Sequence, residues 1–213
     1  MPVYETYKRE LCWGIWKMDE TVEELASLIP SGERLFQEAM QLFANECRRK
    51  EWLTVRVLLY YLSGKEMEIA YYPSGKPYLR EIPCHISISH TKGYVAVALH
   101  SRKEVGIDIE QYSTRVERVK ERFMREDENA EGDEIYALLL HWSAKETLFK
   151  LLGKEEVDFK KHLRILPFTV TPEGVMKACE YKTKEQRQYL LHYQVEDDFV
   201  LTWCMEGDET ISK

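Results

Sequence analysis

Hydrophobic residues recur along this chain with two different periods, which predicts a mixture of strands and helices. The run 11–16 combines aromatic and β-branched positions and predicts a first strand. Apolar residues then recur at helical spacing over 34–62, which predicts one long helix or two, entered at 31–33 and ending near Ser63-Gly64. The first third of the chain is therefore expected to be a strand followed by helix.

Strand patterns follow this helical region. A short apolar segment at 69–72 precedes a turn at 73–77. Apolar and polar residues then alternate over 85–89 and again over 94–99, and the turn between these runs contains Gly93. This arrangement predicts a β-hairpin.

The second half of the chain repeats the same order. A polar stretch at 115–133 precedes a strong helical pattern at 135–152. Strand-like segments follow at 164–171, 189–195 and 199–205. The repetition predicts an α+β fold of two similar, pseudo-symmetric halves, each a helix packed on antiparallel strands. We place these halves at 1–105 and 106–213. Because no Gly/Ser-rich linker separates them, we expect one intimately packed unit.

Composition narrows the classes of function. Of 213 residues, 44% are hydrophobic and 31% are charged, so the chain can build a core and is not expected to be disordered. A formal net charge of −7 argues against nucleic acid or an anionic membrane as a partner. An anionic ligand must therefore meet a local cluster of basic residues.

The five cysteines are an odd number, are scattered, and include no C-x-x-C pair. A disulfide framework or a structural zinc site is not expected, and reduced thiols indicate the cytosol. The amino terminus shows no signal-peptide pattern, and nowhere do eighteen apolar residues run together. We therefore expect a cytoplasmic protein without a membrane span.

The run 105–110, which follows the predicted hairpin, predicts a further strand and carries a candidate for metal chemistry. Asp108 and Glu110 are two residues apart, so both side chains point to one face of the strand. Hard divalent cations such as Mg²⁺ bind through carboxylate oxygens, and two adjacent acids offer half of such a site. The polar face of an edge strand in water is the alternative interpretation.

The helix 135–152 adds a third carboxylate. Glu146 falls within the apolar stripe of this helix, where a carboxylate costs several kcal/mol unless a cation, a metal or hydrogen bonds compensate it. Lys150 lies on the neighbouring side, whereas Lys145 projects toward the other margin. Two interpretations stay open: a simple ion pair of Glu146 with Lys150 at the rim of the core, or a three-carboxylate cation site with the strand pair.

Basic and hydroxyl side chains elsewhere can hold phosphate oxygens. Each is also common on an ordinary solvated surface, so none is specific alone. Together with a carboxylate-held metal, they describe a site for a phosphate ester or a pyrophosphate. The candidates are Lys76 between Gly75 and Pro77, Ser89 and His90 in a hairpin turn, and Arg48, Arg49 and Arg56.

The run 106–110, with Glu146 in the later run 142–150, resembles the paired signature of the 4′-phosphopantetheinyl transferases. Upstream, Gly75-Lys76-Pro77 and Ile88-Ser89-His90 stand in the family's order. Four short motifs in sequence are far more specific than any single one. The length of the chain resembles the double-length, surfactin-synthetase-activating type, whose members are monomers of two similar halves.

The resemblance implies an enzyme that transfers the 4′-phosphopantetheine arm of coenzyme A to a serine of an apo acyl or peptidyl carrier protein, releasing adenosine 3′,5′-bisphosphate. It implies an active site between the halves, in which Asp108, Glu110 and Glu146 hold Mg²⁺. Glu146 is the candidate to accept the serine proton, and Lys150 the candidate to steady the leaving phosphate. The implied partners are coenzyme A and the carrier, with no nucleic acid and no membrane.

The same resemblance assigns contacts to coenzyme A. Lys76, Ser89 and His90 match positions that contact its phosphates, and Arg48, Arg49 and Arg56 are candidates for its 3′-phosphate. The chain departs from the family's pattern next to His90: Ser87 stands where Asn is usual, and Thr91 replaces a common serine. Both substitutes can still form hydrogen bonds, so the departures affect details of ligand contact.

Two other classes of function share parts of this pattern. A metal-dependent nuclease would share the acids and the lysine, but its common pattern has a lysine where this strand continues to Tyr112, and the net charge opposes it. A non-catalytic module that binds coenzyme A or a carrier would be expected to lack a metal ligand or the lysine, and none is missing.

Overall fold

The computed structural model describes residues 4–8, 10–80, 82–154 and 156–207. The chain divides into two compact units, unit 1 at Met1–Arg102 and unit 2 at Lys103–Lys213. Helices and antiparallel sheets occur in both, so the predicted α+β class is confirmed. The expected boundary after residue 105 and the intimate packing of the halves stay predictions.

Unit 1 contains a four-stranded antiparallel sheet, ordered β1-β2-β6-β5, and a separate hairpin of β3 and β4. Helix α3 packs on β2 and β6, with Leu53, Val57 and Leu58 fully buried. The elements are β1 (Tyr4–Lys8), β2 (Leu11–Lys17), α1 (Val22–Ser27), α2 (Gly32–Leu42), α3 (Glu46–Ser63), β3 (Ile69–Tyr71), β4 (Pro77–Leu79), β5 (His85–Thr91) and β6 (Tyr94–His100).

The helical region predicted over 34–62 is two helices. The chain is extended at Phe43, after α2, and Asn45 caps α3 by accepting a hydrogen bond from the backbone N–H of Arg48. Helix α3 ends at Gly64, close to the predicted end, and Gly64 takes the left-handed conformation with φ 71°. The short helix α1 was not predicted.

Unit 2 is a five-stranded antiparallel sheet, ordered β7-β13-β12-β11-β9, with helix α4 packed against β7 and β13. Strands β8 and β10 pair in parallel as a small separate sheet. The elements are β7 (Val105–Gln111), a 3₁₀-helix (Thr114–Arg122), β8 (Ala130–Glu131), α4 (Glu134–Leu152), α5 (Phe159–His162), β9 (Leu163–Ile165), β10 (Phe168–Thr169), β11 (Glu173–Glu180), β12 (Gln188–Val195) and β13 (Phe199–Met205).

The predicted helix and three of the predicted strands of unit 2 are present as α4, β7, β12 and β13, whereas β11 was not predicted. Asp133 caps the start of α4 by accepting from the backbone N–H groups of Ile135 and Tyr136. Within the described ranges, no helix is long and apolar enough to cross a membrane.

Helix α4 approaches β7 unusually closely at Gly106. A β-carbon placed on Gly106 would lie 2.3 Å from the backbone oxygen of Thr147. Hydroxyl groups bind the helix to the sheet beside this point: the Thr202 hydroxyl lies 2.9 Å from that of Ser143 and 2.6 Å from that of Thr147. The absence of a side chain at residue 106 therefore sets how close the polar residues of α4 come to those of β7.

We expect Gly106→Ala to lower the free energy of unfolding by about 1–3 kcal/mol, because the new methyl group forces α4 away from β7. The atom it meets belongs to the backbone, so truncation of the Thr147 side chain in a second variant should not restore stability. Urea denaturation measures both effects. A Gly106→Ala protein as stable as the wild type would show that α4 can move without cost.

Candidate active site

The face shared by β7 and α4 gathers three carboxylates and a lysine. We call Asp108, Glu110 and Glu146 the acidic group. Asp108 is only 3% exposed, and the Lys150 Nζ donates to its Oδ1 at 2.7 Å and to the carbonyl oxygen of Ile107 at 3.1 Å. The lysine predicted to pair with Glu146 at the rim of the core thus forms its ion pair with Asp108.

Burial and like charge together raise the pKa values of two carboxyl groups in this acidic group. Burial, then the charge of Asp108, raises the pKa of Glu110 to about 7, although the hydrogen bond from Trp142 lowers it. Burial, then Asp108, also raises the pKa of Glu146 to about 7, while Lys150 acts in the opposite direction. The acidic group carries more negative charge than Lys150 neutralises.

Oxygen ligands and uncompensated negative charge are the chemistry that a hard divalent cation requires, so the acidic group fits Mg²⁺ by its donors. In the part of the chain that the structure describes, no three His, Cys, Asp or Glu side chains stand in the arrangement of a metal site. The assignment of Asp108, Glu110 and Glu146 as metal ligands stays a prediction.

The raised pKa values predict how stability depends on pH without metal. The folded-state pKa values of Glu110 and Glu146, about 7, lie above their ordinary value of 4.5. The folded chain therefore binds more protons than the unfolded chain in this window, and the free energy of unfolding should fall as pH rises from about 5 to 7. Urea denaturation in EDTA should show a loss of roughly 2–4 kcal/mol.

The Glu146→Gln variant is the control for this pH effect, because it removes one of the two titrating groups and relieves repulsion on the other. Its free energy of unfolding should depend less on pH and should exceed that of the wild type at pH 8. An identical pH profile for both proteins would contradict the assignment.

Lys145 lies elsewhere than the helical pattern suggested. Its side chain is fully buried, and its Nζ forms an ion pair with Glu128 Oε2 at 2.7 Å. The carbonyl oxygens of Phe123 and Phe159 accept from the same Nζ at 2.6 and 3.2 Å. The expectation that Lys145 projects toward the other margin of the helix was therefore wrong, because Lys145 is enclosed, whereas Glu146 is half-buried.

Unit 1 contains a cavity of about 470 Å³ that brings several of the predicted phosphate contacts together. Arg56 stacks on Trp52, with its Cζ 3.3 Å from the ring centroid, and donates to the Trp52 carbonyl oxygen at 2.9 Å. Burial lowers the pKa of the Arg56 guanidinium to about 10, so this cation is incompletely compensated. The lining residues are Phe43, Arg48, Glu51, Trp52, Val55, Arg56, Tyr71, Gly75, Pro77, Ile88 and His90.

Three of the six predicted coenzyme A contacts line this cavity, namely Arg48, Arg56 and His90. The other three are placed differently. The Arg49 guanidinium donates to the carbonyl oxygens of Phe43 and Ala44, Ser89 is buried, and Lys76 is half-buried between the lining residues Gly75 and Pro77.

Aromatic side chains of the cavity were missed as functional candidates. Trp52 belongs to the helical stripe that sequence periodicity assigns to the core, and Tyr71 belongs to a predicted strand. Tyr71 is 54% exposed, which no local pattern indicates. The neighbouring Tyr72 and Tyr78 rings lie 4.5 Å apart. The cavity therefore joins aromatic surface to cationic groups, a combination suited to a base and its phosphates.

Comparison with known proteins shows a similarity to one family over residues 104–204, which include the acidic group. The model of the 4′-phosphopantetheinyl transferase superfamily matches residues 104–204. The 4′-phosphopantetheinyl transferase psf-1 of Bacillus pumilus is 39% identical over 89 residues, which are 38% of this chain and 37% of that protein. The 4′-phosphopantetheinyl transferase gsp of Aneurinibacillus migulanus is 33% identical over 86 residues, 38% of this chain and 35% of that protein.

The matches to both relatives cover little more than a third of their length. The family match, in contrast, includes the whole of β7, α4 and the acidic group. Residues 104–204 of this chain are thus similar to the 4′-phosphopantetheinyl transferase superfamily.

Proposed function

We propose that this protein transfers the 4′-phosphopantetheine arm of coenzyme A to a serine of an apo acyl or peptidyl carrier protein, releasing adenosine 3′,5′-bisphosphate. The observation that carries the proposal is the acidic group with Lys150, within the segment that matches the transferase superfamily. Such a group is suited to a reaction at a pyrophosphate, where a metal ion and a lysine balance charge.

In the proposed reaction, the serine oxygen attacks the phosphorus next to pantetheine. A new P–O bond forms, the bond to the bridging oxygen breaks, and the serine proton passes to a base. Glu146 is the candidate to accept it, because it is a half-buried carboxylate of the acidic group. Lys150 stabilises negative charge that develops on the leaving phosphate. A bound Mg²⁺, held by Asp108, Glu110 and Glu146, would neutralise charge on the pyrophosphate.

The cavity of unit 1 is proposed to hold the nucleotide end of coenzyme A. Arg56 and Arg48 supply cations for its phosphates, although Arg48 also pairs with the lining residue Glu51 at 2.8 Å. Trp52 and Tyr71 offer aromatic surface for the adenine. His90, Ser89, Lys76 and Arg49 stay candidate contacts.

Arg56→Met is expected to raise the KM for coenzyme A by about 10–100-fold with little change in kcat, because one charge-assisted contact worth ~1.5–3 kcal/mol is lost. The 3′-dephospho form of coenzyme A locates the contact: a variant that discriminates less between the two forms has lost a contact to the 3′-phosphate. Arg102→Met is the control, since Arg102 is exposed, pairs with Glu10 and does not line the cavity. Equal KM values for the Arg56 variant and the wild type would contradict this role.

The activity itself is tested with purified protein, coenzyme A, Mg²⁺ and a panel of apo carrier proteins. A gain of the phosphopantetheine mass on a carrier supports the proposal, and removal of Mg²⁺ by EDTA should abolish the gain reversibly. No gain on any carrier would reject it. We further propose a cytoplasmic monomer that engages neither nucleic acid nor membrane, which light scattering and cell fractionation test.

A further inference from the structure

A continuous series of contacts in unit 2 leads from a buried ion pair to the acidic group. It begins at Lys145 and Glu128, whose side chains are both 0% exposed. The carboxylate of Glu128 also accepts from the backbone N–H of Ile165 at 2.7 Å and from that of Arg125 at 2.9 Å. A buried pair with this many satisfied partners holds its neighbours in one arrangement.

The carbonyl groups that Lys145 binds belong to the two residues whose rings flank Trp142. The Phe123 ring centroid lies 5.2 Å from that of Trp142, and the Phe159 centroid lies 5.5 Å from it. Since Lys145 Nζ donates to the carbonyl oxygens of both phenylalanines, it holds the backbone on which both rings are carried. The rings leave the indole little freedom to turn.

The indole of Trp142 in turn binds a member of the acidic group. Its Nε1 donates to Glu110 Oε1 at 2.7 Å. A fixed indole donor orients the carboxylate plane and determines which way the second oxygen is presented. Trp142 thus acts on Glu110 from the helix, whereas the strand β7 alone would leave its rotamer undetermined.

We propose that Trp142 is a positioning residue for Glu110 and that the Lys145–Glu128 pair holds Trp142 in place through Phe123 and Phe159. The inference rests on the proposed function, because it gives Glu110 its orientation toward a divalent cation. Lys145 is then part of the support of the site and not one of its phosphate-binding cations.

The first test is Trp142→Phe, which removes the indole N–H and keeps an aromatic ring. Mn²⁺ replaces Mg²⁺ in this test, and electron paramagnetic resonance measures its binding without coenzyme A. The affinity for Mn²⁺ should weaken by about 10–100-fold, as is typical when the partner of a metal ligand is lost. In the transfer assay, the Mg²⁺ concentration for half-maximal rate should rise by a similar factor. Excess Mg²⁺ should restore most of kcat, and the KM for coenzyme A should be unchanged.

Trp16→Phe is the matched control. The Trp16 indole also donates to a carboxylate, Glu20 Oε2 at 3.0 Å, but in unit 1 and outside the acidic group. It reports the general effect of losing an indole and its hydrogen bond. Its affinity for Mn²⁺ should equal that of the wild type.

The second test removes the Lys145–Glu128 ion pair and leaves the indole of Trp142 in place. Lys145→Met combined with Glu128→Gln deletes both buried charges and retains an amide oxygen that can accept from Ile165, so the double variant should fold. It should weaken Mn²⁺ binding in the same direction as Trp142→Phe. If the residues act in series, the effects of the two changes on metal affinity should be less than additive when combined.

The outcomes separate this inference from the proposed function. A wild type that binds Mn²⁺ and transfers the arm, alongside a Trp142→Phe variant with unchanged Mn²⁺ affinity, overturns the positioning role alone. Full additivity in the combined variant overturns the link from Lys145 to Trp142. A wild type that neither binds Mn²⁺ nor transfers the arm rejects the proposed function as well.

Discussion

Glu146→Gln is expected to lower kcat by about 10²–10⁴-fold, and the loss should persist at saturating Mg²⁺. Glutamine keeps the shape of the side chain and one oxygen, so it can still contribute to metal binding, but it cannot take up a proton at neutral pH. Burial and then the charge of Asp108 raise the pKa of Glu146 in the absence of metal, whereas a bound Mg²⁺ would lower it. Initial rates over a titration of Mg²⁺ measure both parts of the effect.

Glu134→Gln is the control for this change, since Glu134 is exposed in the first turn of the same helix. Its kcat should equal that of the wild type. Near-complete rescue of Glu146→Gln by Mg²⁺ would reduce Glu146 to a metal ligand and assign proton acceptance to a water molecule. Rescue of kcat and unchanged pH dependence together would be inconsistent with a base at this position.

Lys145→Met is expected to lower the free energy of unfolding by about 3–5 kcal/mol. The change leaves Glu128 as a buried charge without its cation, and it removes the donor to the carbonyl oxygens of Phe123 and Phe159. Methionine fills the volume of the lysine stem, so lost packing contributes little. Guanidinium denaturation, followed by fluorescence and by circular dichroism, measures the effect.

Lys161→Met is the comparison, because Lys161 is exposed and its partner Asp158 lies 4.0 Å away; we expect a change below about 0.5 kcal/mol. The double change at Lys145 and Glu128, to Met and Gln, should recover much of the lost stability, since no charge is then buried alone. A Lys145→Met protein as stable as the wild type would show that Glu128 takes up a proton at little cost.

The candidate residues of β7 and α4 could be predicted from the local sequence pattern. Alternation places Asp108 and Glu110 on one face of a strand, and helical spacing places Glu146 and Lys150 near each other on a helix. The residues with which they form ion pairs could not be predicted in this way. Lys150 pairs with Asp108, 42 residues away, because the small residue Gly106 lets the helix lie close to the strand. The prediction that Glu146 pairs with Lys150 rests on the spacing within one helix, so it cannot account for a partner on β7.

The burial of Lys145 likewise could not be predicted from the pattern of a single helix. Lys145 and Glu146 are neighbours on the helix, and periodicity places Glu146 in the apolar stripe. The structure also encloses Lys145, because Glu128 and the Phe123 backbone, which lie 17 and 22 residues earlier in the chain, cover that side of α4. A helical pattern predicts an apolar face, but it does not identify a buried charge whose partner comes from another segment.

The sequence by itself determined the α+β class, most helices and strands, and the residues of the acidic group, since these depend on periods of two and 3.6 residues and on short motifs. It did not predict α1, which is only six residues long, or β11, where polar residues interrupt the alternation. Tertiary structure alone decided which charges pair, which lysine is buried, and which aromatic residues line the cavity of unit 1. The physical reason is that burial and pairing depend on segments distant in sequence, and local propensity carries no information about them.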